Sequence, residues 1–203
     1  MSAVPKRKMT PAEYLAIEKQ AAFKSEFFDG EMFPLHRDAP VGMAGASRPH
    51  NTLNENLSGE VHARLKGGRC RSFSRDQRVL IDRTGLYCYP DLFIVCGQVE
   101  TAAGDEDTIT NPRVVVEVLS PSTERYDRGA KFRNYQQLPS VQEYVLVSQD
   151  EPLCERFTRQ ADGTWVFTSF VGMDAVLALT SVPVQVPLAD LYAGVEFPET
   201  PPA

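Results

Sequence analysis

Two apolar runs, each bordered by an acidic residue, place the strongest constraint on how this chain can fold. Residues 92–95 are apolar and follow directly on Pro90 and Asp91, while residues 114–116 are three valines that lead into Glu117. A run that is apolar at every position is typical of a strand covered on both faces of its sheet. A carboxylate beside such a strand must be paired, protonated or bound to a metal. The two runs therefore predict adjacent buried strands that bring Asp91 and Glu117 close enough to share one ion.

The rest of the chain carries both helix and strand patterns. Three helices are predicted, over residues 10–23, 51–66 and 127–138. The dipeptides Asp29-Gly30 and Asp162-Gly163 indicate hairpin turns. Strands are predicted on both sides of the first turn and over residues 70–73, 78–81, 86–95, 113–119, 142–148, 154–159 and 165–170, and the polar residues 97–112 are predicted to be a loop. This order predicts an α/β sandwich with a central mixed β-sheet flanked by helices.

Length and charge limit the classes of protein that fit. With 203 residues and 42% hydrophobic content, residues 1–203 are expected to form a single domain, with frayed ends at 1–8 and 198–203. The net charge of -6 argues against a protein that coats nucleic acid by bulk positive charge. No apolar stretch approaches the roughly 20 residues of a membrane span, and no signal-peptide core follows the first residues. We therefore expect a cytoplasmic protein that does not contact a membrane.

The four cysteines do not form a recognisable metal or redox motif. None of Cys70, Cys88, Cys96 and Cys154 belongs to a C-x-x-C pair, and each lies in a segment that is predicted to be a strand. Buried free thiols are the expected state, with a disulfide or a zinc site as the alternatives.

Four short segments, together with three residues that follow them, form an ordered set of motifs. They are Glu26-Phe27-Phe28-Asp29-Gly30-Glu31, Ser47-Arg48-Pro49-His50, Tyr89-Pro90-Asp91-Leu92 and Glu117-Val118-Leu119-Ser120-Pro121-Ser122-Thr123, followed by Asp127, Lys131 and Tyr135. In combination, over roughly residues 9–197, this set resembles the Uma-two family of restriction-endonuclease-like proteins within the PD-(D/E)XK nuclease superfamily. Two departures are visible, because Arg48 and Pro49 stand in reversed order and Leu119 stands where the superfamily's name places a lysine.

The resemblance implies a restriction-endonuclease-like fold and a metal-dependent endonuclease that hydrolyses phosphodiester bonds of DNA. Magnesium or manganese would be held by Asp91, Glu117, the carbonyl of Val118 and Glu26. Hard oxygen ligands of this kind suit magnesium, which keeps several of its waters. DNA is thus the expected partner, with a homodimer left open.

The resemblance also implies catalytic roles for two residues on the third predicted helix. Lys131 would supply the cation that Leu119 cannot, and Tyr135, four residues later on the same helical face, would line the site. Together with Asp91 and Glu117, these residues form the expected catalytic set.

One basic stretch is a candidate for contacts with nucleic acid. It consists of Lys66, Arg69, Arg71, Arg75 and Arg78, offset only by Asp76. The stretch could follow a phosphate backbone, or it could be a strand edge that its charges keep soluble.

Other interpretations of the same residues stay open. Glu117 could form a structural salt bridge with Lys131 or Arg128, Asp127 could only cap its helix, and His50 is expected to form hydrogen bonds at a helix start. At the level of the whole protein, a nuclease fold could bind nucleic acid or another protein without cutting. A third alternative is a metal-dependent hydrolase of a small phosphoester.

Overall fold

The structure, a computed structural model, describes residues 7–35 and 47–197. Within these residues it contains two six-stranded sheets, a two-stranded sheet and a few helices. The predicted mixed α/β class is therefore confirmed. Fraying was expected at residues 1–8 and 198–203, and of these, residues 1–6 and 198–203 lie outside the described residues.

The helices are short except for one. They are α1 (Pro11–Glu18), α2 (Arg48–Leu65), α3 (Glu124–Tyr126), α4 (Phe132–Tyr135) and α5 (Leu188–Leu191). Helix α1 begins with a capping box, because the Thr10 side chain accepts from the backbone of Glu13 and the Glu13 side chain accepts from the backbone of Thr10. A π-helical turn, Asp127–Lys131, joins α3 to α4 into one continuous helical segment. None of the helices in the described part of the chain is long and apolar enough to cross a lipid bilayer.

Two mixed sheets contain most of the strands. Sheet A has the spatial order β2 (Glu31–Pro34), β1 (Ser25–Phe28), β5 (Leu86–Cys88), β4 (Arg78–Ile81), β8 (Asp105–Ile109) and β7 (Thr101–Ala102). Sheet B has the order β12 (Trp165–Val171), β11 (Leu153–Arg159), β10 (Glu143–Val147), β9 (Val114–Val118), β6 (Leu92–Cys96) and β3 (Cys70–Ser74). The pair β13 (Val176–Ala178) and β14 (Gln185–Pro187) forms a separate small sheet.

Several predicted segments differ from the structure, and one short helix was missed. The first helix was predicted over residues 10–23, but α1 ends at Glu18. Residues 86–95 were predicted as one strand, but they form β5 and β6 in different sheets, because Pro90 interrupts the ladder between them. Residues 97–112 were predicted as a loop, but they contain the β7–β8 hairpin. Its acidic sequence hides the strand pattern, since Asp105 is buried against Arg78. Helix α5 was missed because four residues give no recognisable helical period.

Sheet B forms the centre of the fold and is covered on both faces. Along β6, Leu92 and Ile94 pack in one hydrophobic cluster, with α2 and the C-terminal elements. Phe93 and Val95 pack in the other, with strands of sheet A and with Tyr135 of α4. Both β6 and β9 are thus covered on both faces, as the two sequence runs predicted.

The cysteine prediction was wrong for one pair. Cys70 and Cys96 lie directly opposite each other on β3 and β6 and form a disulfide, with Cα atoms 4.0 Å apart. Cys88 and Cys154 are free and buried, as expected. The pairing could not be read from the sequence, because it depends on the register between two strands that are 26 residues apart.

Candidate active site

Asp91 and Glu117 meet where β6 and β9 pair. These strands are antiparallel with Leu92 opposite Val116, so the next pair in the same register is Asp91 and Glu117. Side chains opposed in this way have Cβ atoms about 5 Å apart. The Asp91 Oδ2 atom also accepts a hydrogen bond of 2.8 Å from the backbone N–H of Val118. Asp91 is therefore held by this hydrogen bond to β9, directly before the first residue of β6.

The ammonium of Lys131 lies among three carboxylates. Its Nζ atom is 2.9 Å from Glu117 Oε1, 3.5 Å from Glu26 Oε1 and 3.6 Å from Asp127 Oδ1. We refer to Glu26, Asp91, Glu117 and Asp127 as the carboxylate cluster.

Each member of the cluster reaches it for a local reason. Glu117 is the fourth residue of β9 and lies on the same strand face as Val115, which packs toward sheet A. Glu26 is carried by β1 of sheet A and lies next to Phe27, which packs in the third hydrophobic cluster of the protein. Asp127 and Lys131 are four residues apart in the π-helical turn, so their side chains project together. Single-turn π-helices are frequent at functional sites.

The charges of this group are not balanced. Glu26, Glu117, Asp127 and Lys131 have side chains that are 3 to 6% exposed, so water screens them little. Burial alone would lower the pKa of Lys131, but Glu117, Glu26 and Asp127 hold it well above its usual value, and the lysine stays charged. Burial raises the pKa of Glu117, and the charges of Asp127 and Asp91 raise it further against the influence of Lys131. The cluster therefore has an excess of negative charge and favours binding a further proton or cation.

Asp91 has partners of its own on helix α2. His50 Nε2 and Asn54 Nδ2 each lie 3.3 Å from Asp91 Oδ1. Burial alone would raise the pKa of Asp91, but the contact with His50, the N–H of Val118 and the charge of Lys131 hold it below its usual value. Asp91 is therefore ionised at neutral pH and held in one orientation.

The oxygen ligands of the cluster are of the kind that binds a hard cation, but they are not arranged around a vacant metal position. Within residues 7–35 and 47–197, no group of three or more His, Cys, Asp or Glu side chains is arranged to hold a metal ion. The Lys131 ammonium lies between the carboxylates that would do so. However, Glu26 Oε1 and Glu117 Oε1 are buried without a well-directed hydrogen bond, and the cluster has surplus negative charge. Two carboxylates with a carbonyl and waters meet the requirements of magnesium.

One predicted catalytic residue, Tyr135, is buried, and the contacts of two side chains of α2 with Asp91 were not predicted. Tyr135 is fully buried, and its hydroxyl lies 3.2 Å from Cys88 Sγ, so we assign it no contact with a substrate. The backbone N–H of His50 does donate to Ser47 at the start of α2, as expected, but its side chain also contacts Asp91. Asn54 was missed, although an asparagine four residues after His50 beside the apolar stripe of this helix was a usable signal.

The predicted basic stretch is only partly accessible. Arg78 was proposed for contacts with nucleic acid, and this is wrong, because its guanidinium is buried against Asp105 in sheet A. The Arg75 guanidinium forms an ion pair with Glu55. The exposed members of the stretch are Lys66, Arg69 and Arg71.

Comparison with known proteins gives consistent results. Two uncharacterized proteins of Synechocystis sp. (strain ATCC 27184 / PCC 6803 / Kazusa) are each 34% identical to the chain, one over 193 residues with 95% of this chain and 96% of its own length covered. The other matches over 167 residues, which cover 82% of this chain and 90% of that protein. The crystal structure of a "putative nuclease belonging to DUF820" from Anabaena variabilis ATCC 29413 superposes with a TM-score of 0.67 at 16% identity, covering 90% of this chain and 96% of that one.

The family comparison accounts for most of the chain. Residues 11–189 match the model of the Uma2 family, which is described as "Putative restriction endonuclease". These residues include Glu26, Asp91, Glu117 and Lys131, which meet in the site described above. The chain therefore belongs to the Uma2 family.

Proposed function

We propose that this protein is a metal-dependent nuclease that hydrolyses phosphodiester bonds in DNA. The description of its family supports a nuclease-like function. The observation that carries the proposal is the meeting of Asp91, Glu117 and Lys131, in which two acids from neighbouring strands lie beside an ammonium in a buried site. A structural salt bridge alone would need one acid for one lysine, whereas this lysine has three carboxylates within 4 Å.

Four groups would hold the ion. Asp91, Glu117 and the carbonyl of Val118 would be its ligands, and Glu26 would be a further acidic ligand supplied by sheet A. When bound, magnesium or manganese would stabilise charge on the phosphate and promote ionisation of a bound water. His50 and Asn54 would keep the Asp91 carboxylate in the orientation that this requires.

Lys131 would act directly on the substrate. Its pKa is held well above the usual value, so it stays protonated at neutral pH and can donate hydrogen bonds to a non-bridging phosphate oxygen. An incoming phosphate would take one of the donor positions that Glu117 now occupies. This exchange would release Glu117 for the cation while the lysine keeps its charge.

A second function is favoured by one observation. Lys131 already lies among the acids where a metal ion would otherwise sit, and a nuclease fold whose acids are neutralised in this way could bind nucleic acid or protein without cutting. The two functions differ in whether the protein cleaves DNA when a divalent ion is present.

The test is a cleavage assay on supercoiled plasmid DNA with magnesium or manganese. We expect nicked and linear products that require the divalent ion and are lost with Glu117→Gln, while Arg83→Ala, at an exposed turn of sheet A, cleaves as wild type does. Intact plasmid with both ions, or equal cleavage by Glu117→Gln, would reject the nuclease. Release of phosphate from small esters by a protein that leaves DNA intact would instead support a metal-dependent hydrolase of a small phosphoester.

A further inference from the structure

An open groove runs along the helical segment that carries Lys131. Its volume is about 640 Å³, and it is lined by Ser122, Arg125, Tyr126, Gly129, Ala130 and Arg133. We refer to it as the helix groove. It is formed by the side of α3, the π-helical turn and α4 that bears the two arginines. None of its residues belongs to the predicted catalytic set or to the basic stretch of the sequence.

The two arginines of the groove differ from a third arginine on the same segment. Arg128 is bound on both sides, by Glu124 and by Glu155. Arg125 and Arg133 are exposed, and within the described residues neither has a carboxylate within ion-pair distance. In a chain with net charge -6, two such arginines in one groove form a local positive site for an anion.

One wall residue connects the groove with the carboxylate cluster. Tyr126 lines the groove, and its ring centroid lies 5.9 Å from Lys131 Nζ. Burial raises the pKa of the Tyr126 phenol, and the nearby charge of Glu26 raises it further. Tyr126 therefore separates an exposed positive groove from a buried negative site, and a chain of phosphates held in the groove would run past Lys131.

We propose that the helix groove binds the backbone phosphates of the nucleic-acid strand that is cut, on either side of the phosphate that reaches Lys131. This inference rests on the proposed nuclease function and adds where the substrate lies. Arginine suits the role because its planar guanidinium can bind two phosphate oxygens at once. The open space at Gly129, where an added Cβ would meet nothing within 4 Å, lets a backbone approach the helix closely.

The basic stretch offers a weaker route for the same strand. Two of its five members, Arg75 and Arg78, are engaged by Glu55 and Asp105. Lys66 and Arg69 precede the first residue of β3, Cys70. Asp91 lies at the opposite end of β3, where its carbonyl accepts a hydrogen bond from the backbone N–H of Arg75. The strand rise of about 3.4 Å per residue puts that first end roughly 15 Å from the site. The helix groove, in contrast, adjoins the site directly.

The experiment measures binding apart from cutting. Fluorescence anisotropy with short labelled DNA, single-stranded and duplex, would be recorded in EDTA over a series of salt concentrations. The variants are Arg125→Ala/Arg133→Ala, which removes the two charges, and Gly129→Leu, which fills the groove without changing charge. Lys19→Ala/Arg83→Ala removes the same charge from surfaces outside the groove and is the matched control. Circular dichroism and melting temperature would establish that each variant is folded.

We expect the arginine double variant to bind about ten- to a hundredfold more weakly, since hydrogen bonds to charged groups commonly contribute tenfold or more each. The slope of log K against log salt should fall by about 0.7 for each phosphate of a single strand that the variant no longer neutralises. Gly129→Leu should also weaken binding, and the control should bind as wild type does.

Three results would overturn the inference, and one separates it from the proposed function. Wild-type affinity in the arginine double variant, an equal loss of affinity in the control, or preference of the wild type for an acidic peptide over DNA would each reject the groove as a nucleic-acid site. If instead the wild type binds DNA through the groove and never cuts it with magnesium or manganese, the groove stands and the nuclease activity fails.

Discussion

The excess of acids around Lys131 determines how the site responds to mutation. The single ammonium of Lys131 lies within 4 Å of three buried carboxylates, where water screens their charges little. Removal of the ammonium would therefore leave three negative charges facing each other. The carboxylates can relieve this repulsion by taking up a proton or a metal ion. In the proposed nuclease, the lysine would be the group that donates hydrogen bonds to the phosphate.

Lys131→Met is the substitution that tests this role. We expect it to lower the rate of DNA cleavage by about two orders of magnitude, the scale found on loss of one donor that stabilises a transition state. Metal binding, followed by isothermal titration with manganese, should persist, because the acids remain and no longer have an internal cation. Arg128→Met, which removes ion pairs on the same helical segment away from the cluster, is the control. Cleavage by Lys131→Met at the wild-type rate would remove the lysine from the mechanism.

The buried pair Arg78–Asp105 makes stability depend on pH. Burial alone would raise the pKa of Asp105, but hydrogen bonds from Thr108 and Arg78 hold it below its usual value. A carboxylate with a lowered pKa in the folded state stabilises the protein above the unfolded pKa of about 3.9, and this contribution is lost as pH falls through the lower folded value.

Asp105→Asn should therefore destabilise the protein at neutral pH by about 3 kcal/mol, because it leaves the Arg78 charge without its counter-ion. The difference between wild type and variant should be constant from pH 7 to about 5 and shrink below about pH 4. Urea unfolding at several pH values measures it. A difference that grows on acidification would contradict the assignment.

The hairpin that carries Glu26 depends on one glycine. Gly30 has φ +81°, and a Cβ there would lie 2.5 Å from Lys8 Cβ. Gly85, in the β4–β5 turn, has φ +75° and nothing within 4 Å of the same added atom.

Alanine at either position should cost about 1 to 2 kcal/mol for the left-handed backbone. Gly30→Ala should cost more than Gly85→Ala, because only it must also displace Lys8. Chemical denaturation of the two variants provides the comparison. Equal losses of stability would mean that the Lys8 segment moves aside freely.

Much of the element pattern could be predicted from local sequence. The central strands β6 and β9, the helix α2 and the two Asp-Gly hairpins were anticipated because each has its own period or turn chemistry. The β7–β8 hairpin was not, because burial of its Asp105 depends on an arginine in another strand. For the same reason, the accessibility of the basic stretch was misjudged at Arg78.

The candidate site was predictable to a similar extent. Asp91, Glu117 and Lys131 border recognisable elements, and the family resemblance joined them. The contact of His50 with Asp91 depends on how the start of α2 packs over the start of β6, and no local sequence pattern predicts that packing. The burial of Tyr135 behind Cys88 likewise follows from tertiary packing.

At the scale of the whole molecule, the site joins the two large sheets. Glu26 comes from sheet A and Glu117 from sheet B, and both contact Lys131. A divalent ion bound between them would stabilise the packing of one sheet against the other. Its effect should therefore appear in global stability.

Saturating magnesium or manganese should raise the melting temperature of the wild type. At a concentration of one hundred times Kd the increase should be about 5 to 10 °C for a chain of this size. The Asp91→Asn/Glu117→Gln double variant should show no increase, whereas Arg83→Ala should show the full one. An equal rise in all three proteins would place the ion elsewhere.

The contact between Glu26 and Lys131 has a consequence for how the protein is made. The two residues are separated by about a hundred positions in the chain, so the ribosome must add all of them after Glu26 before the contact can form. At roughly 5 to 20 residues per second, the first hairpin waits at least several seconds for its partner. A nascent or truncated chain that ends before the π-helical turn lacks the lysine altogether. The protein would thus complete its candidate site only when its synthesis is well advanced.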